Sequence, residues 1–407
     1  MNILVLAFAC EPNRGSEEGV GWNWSINLAK HHNVYVITRG QEKPFIEKYI
    51  SETGLQNPKF YYFEDAGLMH FIDKKVPMGF RIYYRWWQSQ IVGVAKEIIR
   101  EYHIDIIHQL TYNEYRTPGK LYDMGIPFVW GPIGGGHEYN PILKEGYFRI
   151  VDVFKEIVRK KLNYRYLKDK DVVNAIEKSA EILVADPATY SILPKTRKYG
   201  RLLEAAYYPD RNSIKSYANR NHEKIRLMYA GVMTPRKGLK IIIDALGESS
   251  FRDFELIFIG EGIDCPLLKK LIKKYGIQEN VRFLGKLSYD EVNNYYDWAD
   301  LFLFPSMRDT SGNVVLESMS HGTPVIALNH NGASEIITTE SGDLIKIESY
   351  KQIKKDYVET IKKYFENREL LEIKGRAARE RLETVYSWAH VMEVIDKVYQ
   401  NVKKTRE

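Results

Sequence analysis

Two doubly wound α/β domains are what this 407-residue sequence predicts, and three observations carry the prediction. Short apolar runs alternate with helical stretches, the rhythm of βαβ units and hence of parallel sheets. That rhythm breaks at Tyr207 to Lys224 (YYPDRNSIKSYANRNHEK), a polar stretch without period that resembles an interdomain linker. The length also exceeds what one hydrophobic core usually supports. The boundaries that follow are an N-terminal domain over 1–212, a C-terminal domain over 213–386 and a terminal helix over 387–407.

The elements are read in order. Asn2–Phe8 is a continuous apolar run, as expected of a strand buried on both faces. The loop CEPNRGSEEGVGW follows, with Ser16 as the expected N-cap of a helix carrying Trp22 and Leu28. Further strands are expected at VYVIT (34–38), IDIIH (104–108), PFVW (127–130) and ILVA (182–185). Beyond the linker they are IRLMYA (225–230), ELIFI (255–259), VRFL (281–284), LFLF (301–304) and PVIAL (324–328). Ser288 and Glu291 form a capping box for the helix bearing Tyr295, Tyr296 and Trp298. The last helix, from Ser387, has one apolar stripe through Trp388, Val391, Met392, Ile395, Val398, Tyr399 and Val402, which must dock; the interdomain seam is the expected place.

Composition removes several classes of function. The net charge of +6 permits an anionic partner, but cations and anions are interspersed and no nucleic-acid binder is expected. Cys10 and Cys265 are the only cysteines, which leaves no disulfide framework and no cysteine-rich metal site. No run of about 18 apolar residues suggests a membrane span, and MNILVLAFAC lacks a charged leader. A cytoplasmic, enzyme-sized protein is the expectation.

In doubly wound sheets, ligands bind at the carboxyl ends of the strands. Three turns of the second domain sit there. GVMTPRKG (231–238) brings Arg236 and Lys237 to a helix start, which suits a diphosphate, although an isolated basic pair of this kind reads first as a solvated turn. IGEG (259–262) lets backbone approach a flat ligand. SMRDTSGNVVLESMSHGTPVIA (306–327) places Asp309 in a turn and Glu317 in the following helix. Glu317 either binds a ribose diol or faces water.

These stretches, with HGTPVIA (321–327) and NGASEII (331–337), resemble glycosyltransferase family 4, the retaining nucleotide-sugar-dependent enzymes with the GT-B fold. The likeness covers essentially the whole chain. It implies two Rossmann-like domains facing a central cleft, with the C-terminal helix returning towards the first. GSEEGVGW and FVWGPIGGG resemble a branch acting on surface or exopolysaccharide precursors.

The resemblance also implies roles. The family's paired carboxylates fall on Asp309, beside the transferred sugar, and Glu317, on the ribose. Asp309 replaces the usual glutamate and reaches about 1.5 Å less far. Ser311, Gly312, Asn313 and Val314 would offer amides to the phosphate, with Gly231, Gly260 and Gly15 approaching the donor. The family's usual arginine is replaced by Val232, so Arg236 and Lys237 carry the neutralisation. Backbone at Phe283 and Leu284 would read the base. His108, at a strand end, would contact the donor sugar or serve structure alone. Glu17 and Glu18 point to acceptor hydroxyls or merely favour a helix dipole. Tyr112, Asn113, Arg116, Gly135 and His137 line the acceptor side.

The implied reaction is retaining transfer of a hexosyl unit from a UDP-sugar, or a GDP-sugar, to a saccharide or polyprenyl-linked saccharide. The leaving phosphate takes the acceptor's proton, and no cofactor is implied. A non-catalytic or weakly hydrolytic GT-B binding protein is the alternative. Asp169–Lys170–Asp171 imitates a metal motif but lies in a charged helical region, so no metal is expected. Gly79 to His103, basic and aromatic, reads either as a core-packed helix or as a peripheral contact with the inner face of the plasma membrane.

Overall fold

A computed structural model describes residues 1–64, 67–76, 79–112, 114–203, 206–207, 222–310 and 312–404. Most of the expected linker, 208–221, lies outside the described residues, as do Asn113 and Ser311.

Unit 1 comprises Met1–Gly136, Asn163–Glu204 and Val391–Glu407. Its sheet contains β1 (Asn2–Leu6), β2 (Asn33–Arg39), β3 (Lys59–Phe63), β4 (Ile106–Gln109), β5 (Phe128–Ile133), β6 (Glu181–Val184) and β7 (Gly200–Arg201). All pairings are parallel, in the order β3-β2-β1-β4-β5-β6-β7. β1 and β4 are adjacent although a long stretch of chain separates them. That is the switch point where a doubly wound sheet reverses direction. The aromatic run KFYYF, unread as a strand, forms β3 on the sheet edge.

Unit 1 is held by an aromatic core. Phe8, just past β1, meets Tyr84, Trp87 and Tyr112 edge-on, with ring centroids 4.8, 5.0 and 5.3 Å away. The helix Gly79–Glu101 buries Tyr83, Tyr84, Trp87, Ile91, Ala95 and Ile98, spaced three or four residues apart along one face. Its apolar stripe therefore belongs to the core, the first of the two readings given for this segment. Each such large side chain contributes about 1.5–3 kcal/mol by leaving water.

The terminal helix Trp388–Lys404 docks its stripe as the spacing demands, with Ile395 and Tyr399 fully buried. Within unit 1, His32 bonds Asp396 at 2.8 Å and Lys403 bonds Asp105 at 3.0 Å. The helix Ser16–Leu28 starts one residue earlier than expected: Gly15, not Ser16, is its N-cap, and no side chain caps it.

Unit 2 comprises His137–Leu162 and Ala205–His390. Its sheet contains β8 (Ile225–Ala230), β9 (Phe254–Ile259), β10 (Val281–Gly285), β11 (Leu301–Phe304), β12 (Val325–Leu328) and β13 (Gly342–Ile345). The order β10-β9-β8-β11-β12-β13 repeats the pattern of unit 1, again all parallel. The capping box at Ser288 and Glu291 is present. The two units do not follow the sequence boundaries. Residues 137–162, assigned above to the N-terminal domain, fold with unit 2, where Leu143, Tyr147 and Val153 join its core. Their apolar partners are distant in sequence, so no local signal marks the crossing.

Candidate functional site

The switch point of unit 2 lies between β8 and β11, and the loops leaving those strands are tied together there. The Met307 N–H donates to the Arg236 carbonyl at 2.9 Å, and the Arg236 guanidinium donates to the Arg308 carbonyl at 3.0 Å. On this frame Lys237 donates directly to Asp309, and Arg236 stands 3.5 Å from the same carboxylate oxygen. Ser306 Oγ adds a contact at 3.4 Å. Lys237 is 12% and Asp309 19% exposed, so the pair is largely out of water.

The pKa shifts follow from that. Burial opposes ionisation of Asp309, but Lys237 and Arg236, with help from His137, overcome it and hold the carboxyl at about 2. Burial lowers Lys237, with Arg236 and Arg308 adding to the shift, while Asp309 resists it. The site thus holds a concentrated positive potential partly cancelled by one short carboxylate.

Two close backbone approaches shape the floor. Gly260, at φ +116°, lies so near Gly231 that a Cβ would sit 2.2 Å from the Gly231 carbonyl oxygen. Gly312, at φ +67°, caps the helix Asn313–Ser320, and a Cβ there would meet the Phe304 ring at 2.8 Å. The first turn of that helix directs backbone N–H groups out of its N-terminal end, a geometry that suits an anion. Gly15, by contrast, has open space around it; the glycines forced by close packing near it are Gly19 and Gly21.

Glu317 sits in the second turn of the same helix. Tyr296 Oη donates to its Oε2 at 2.9 Å. Burial raises its pKa, against the opposing pull of Tyr296 and His321. A half-buried carboxylate with one hydroxyl donor already in place suits further hydroxyl donors. Tyr296 was not singled out from the sequence for this role; its position in the capped helix was visible, its direction was not.

Phe283 stacks on Phe258 with centroids 5.0 Å apart, so its ring serves the core at the end of β10. Gly260 N–H donates to the Gly285 carbonyl at 2.7 Å, joining this strand end to the β9 loop. Val232, where the family's arginine would stand, is exposed.

Segment 137–162 brings further residues to the site. His137, expected on the acceptor side, is buried in unit 2 close enough to act on Asp309 and on His330. His330 bonds the Ser306 carbonyl at 2.9 Å. Arg308, adjacent to Asp309 and missed above, is held by Glu156 at 3.2 Å. Burial and Arg159 pull the Arg308 pKa down despite Glu156.

The unit 1 candidates fare differently. His108 is completely buried, with Nδ1 2.5 Å from Tyr399 Oη and Nε2 2.7 Å from the Gly131 carbonyl. Burial depresses its pKa to about 4, so it stays neutral. It is a structural tether for the terminal helix, which corrects the catalytic expectation. Arg116 is buried and bound by Glu114 at 2.7 Å and by Asn163, which corrects its acceptor role. Gly135 packs against that guanidinium, since a Cβ would lie 2.8 Å from it. Glu17 and Tyr112 are brought together: the Tyr112 N–H donates to Glu17 Oε2 at 3.1 Å, from a backbone at φ +52°. Burial, with Glu18 and Glu114 adding, pushes Glu17 up to about 7 despite that bond. Asp169 caps the helix Lys170–Lys178, and Asp171 pairs with Lys120 at 2.6 Å, so the apparent metal motif is spent on structure.

Comparison with known proteins puts a family beside this geometry. Residues 210–381 match the family described as Glycosyl transferases group 1, a stretch inside unit 2. The sulfoquinovosyl transferase SQD2 of Arabidopsis thaliana is 32% identical over 174 residues, covering 42% of this chain and 32% of that protein. The amylovoran biosynthesis glycosyltransferase AmsK of Erwinia amylovora is 30% identical over 124 residues, covering 28% of this chain and 30% of that protein. The chain spans under half the length of these curated relatives. Among solved structures, Anabaena Alr3699/HepE in complex with UDP superposes with a TM-score of 0.64 at 15% identity, covering 98% of this chain and 100% of that one. Sucrose-phosphate synthase from Thermosynechococcus elongatus gives 0.65 at 16% identity, covering 99% of each. At such identities the likeness establishes the fold, two Rossmann-like domains of the GT-B class. The family match and the curated relatives are thus similarities of part of the chain, whereas the GT-B fold extends over nearly all of it.

Proposed function

We propose that the chain is a retaining, metal-independent glycosyltransferase of family 4. It moves a hexosyl unit from a UDP-sugar, with a GDP-sugar as the next candidate, to a saccharide or polyprenyl-linked saccharide in cell-surface polysaccharide synthesis. The reaction takes place in the cytoplasm. The observation that carries the reading is the convergence of Arg236, Lys237 and Asp309 at the unit 2 switch point, with Glu317 one helix turn beyond. HepE, crystallised with UDP, supports the choice of base. AmsK, named for amylovoran biosynthesis, supports the polysaccharide setting.

In this reading Glu317 accepts hydrogen bonds from the ribose hydroxyls, supported by Tyr296. Arg236, Lys237 and the amides at Gly312–Val314 stabilise the leaving diphosphate as the anomeric C–O bond breaks. The acceptor oxygen bonds to the anomeric carbon on the same face, and its proton passes to a diphosphate oxygen. An enzyme base is not needed, and His108 is too deeply enclosed to be one. Asp309 orients a sugar hydroxyl and holds Lys237 in place before the donor arrives. Glu17, half ionised near neutral pH, receives acceptor hydroxyls in unit 1.

Incubation of the purified chain with a panel of nucleotide sugars, with and without saccharide acceptors, tests this. Acceptor-dependent release of nucleoside diphosphate, with an axial product linkage from an axial donor by NMR, is the expected result. Inverted products would refute retention. Binding without release would establish the second reading, a non-catalytic binding protein, which the Lys237–Asp309 pairing favours by occupying the lysine.

A further inference from the structure

The helix Ile150–Tyr166 turns apolar side chains outward. Ile150 is 71%, Phe154 64%, Val151 49%, Ile157 38% and Val158 37% exposed. Their spacing puts them on one face, whose later turns carry the exposed Lys161 and Arg165, with Lys155 alongside. The acids of the helix point the other way. Asp152 is buried and bonds Arg149 at 2.6 Å; Glu156 is buried and bonds Arg159 at 2.7 Å. The outward face is therefore apolar at its start, basic at its end and free of carboxylates.

Soluble proteins seldom leave such an apolar group in water without a use for it. We infer that this face docks on an anionic phospholipid bilayer, the apolar turns entering the interface and Lys155, Lys161 and Arg165 meeting headgroup phosphates. A second copy of the chain fits less well: its matching face would offer these cations either apolar turns or other cations, because the acids of the helix are buried and paired inward. The inner side of the same helix reaches the candidate site, because Glu156 also holds Arg308 at 3.2 Å, next to Asp309. Docking here would set the β11 loop close to a lipid-linked acceptor, if the transferase reading holds. The docking itself does not depend on it.

The test is co-sedimentation of the full chain with vesicles of phosphatidylcholine alone or of an equimolar mixture with phosphatidylglycerol. The chain is expected to pellet with the anionic vesicles, to stay in solution with phosphatidylcholine alone, and to be released by high salt. Partitioning is expected to fall about tenfold or more in Ile150→Ser/Phe154→Ser and again about tenfold in Lys161→Gln/Arg165→Gln. Both variants should melt like the wild type. No pelleting, or undiminished pelleting of either folded variant, overturns the inference. So does a lipid-free dimer that Phe154→Ser dissolves. The vesicles contain neither donor nor acceptor, so failure here leaves the transferase reading untouched, and failure of the donor panel leaves this one untouched.

Discussion

The two sheets share one strand order but differ in charge at the point where that order reverses. In unit 2 the loops after β8 and β11 bring Arg236, Lys237 and Arg308 around Asp309. In unit 1 the loops after β1 and β4 bring Glu17 and Glu18 to Tyr112, while the nearby cations are spent: Arg14 on Glu11, Arg39 on Glu42 and Arg116 on Glu114. Two carboxyls consequently move in opposite directions. Burial raises both, but cations pull Asp309 down to about 2, whereas Glu17 rises to about 7. Topology provides the same crevice twice; the loop residues decide that one suits an anion and the other suits hydroxyl groups.

The sharpest way to break this contrast is to remove the cation. Lys237→Ala should lower kcat/KM for nucleoside diphosphate release by about 10²–10³-fold while the circular dichroism spectrum stays native. Turnover within a few-fold of wild type would mean that the unit 2 switch point does not handle the diphosphate. Next in size is Glu317→Gln, expected to raise the donor KM about tenfold with little change in kcat, because bonds to a charged acceptor are weakened. Since burial raises the Glu317 pKa, the wild-type donor KM should fall as pH rises and the carboxyl ionises, and the glutamine variant should lose that dependence. A KM that tracks pH equally in both proteins would assign the ribose contact elsewhere.

The smallest effect on activity belongs to unit 1. His108→Gln should keep its turnover and lose about 1–3 kcal/mol of stability in urea. Its pH signature is distinctive. The folded-state pKa is lowered from 6.5 to about 4, so the unfolded chain takes up the proton first. Stability from this group is complete above about 6.5 and drains away as pH falls towards 4. The variant should show a flatter curve over that interval. Lost turnover at unchanged stability would instead restore a catalytic histidine.

How much of this was legible varies along the chain. Strand runs such as IRLMYA and LFLFP, the restart of the rhythm after the linker and the RKG turn are local features, and their sites follow from strand order. The aromatic KFYYF run was passed over because an edge strand lacks the continuous aliphatic pattern of its buried neighbours. His108 and Arg116 were misread for another reason. A polar side chain at a strand end looks the same whether it faces a ligand or a buried partner, and the partners, Tyr399 and Asn163, are far off in sequence.

By itself, then, the sequence determined the class of fold, the order of the elements and the charged turns of unit 2, because backbone periodicity and short motifs act within a few residues. Only the tertiary structure decided which charges remain available. It spent His108, Arg116 and the Asp169–Asp171 motif on structure, brought Glu156 to Arg308 across a long stretch of chain, and turned one face of the helix Ile150–Tyr166 outward. Pairing and desolvation depend on neighbours in space, and the linear order of residues does not carry them.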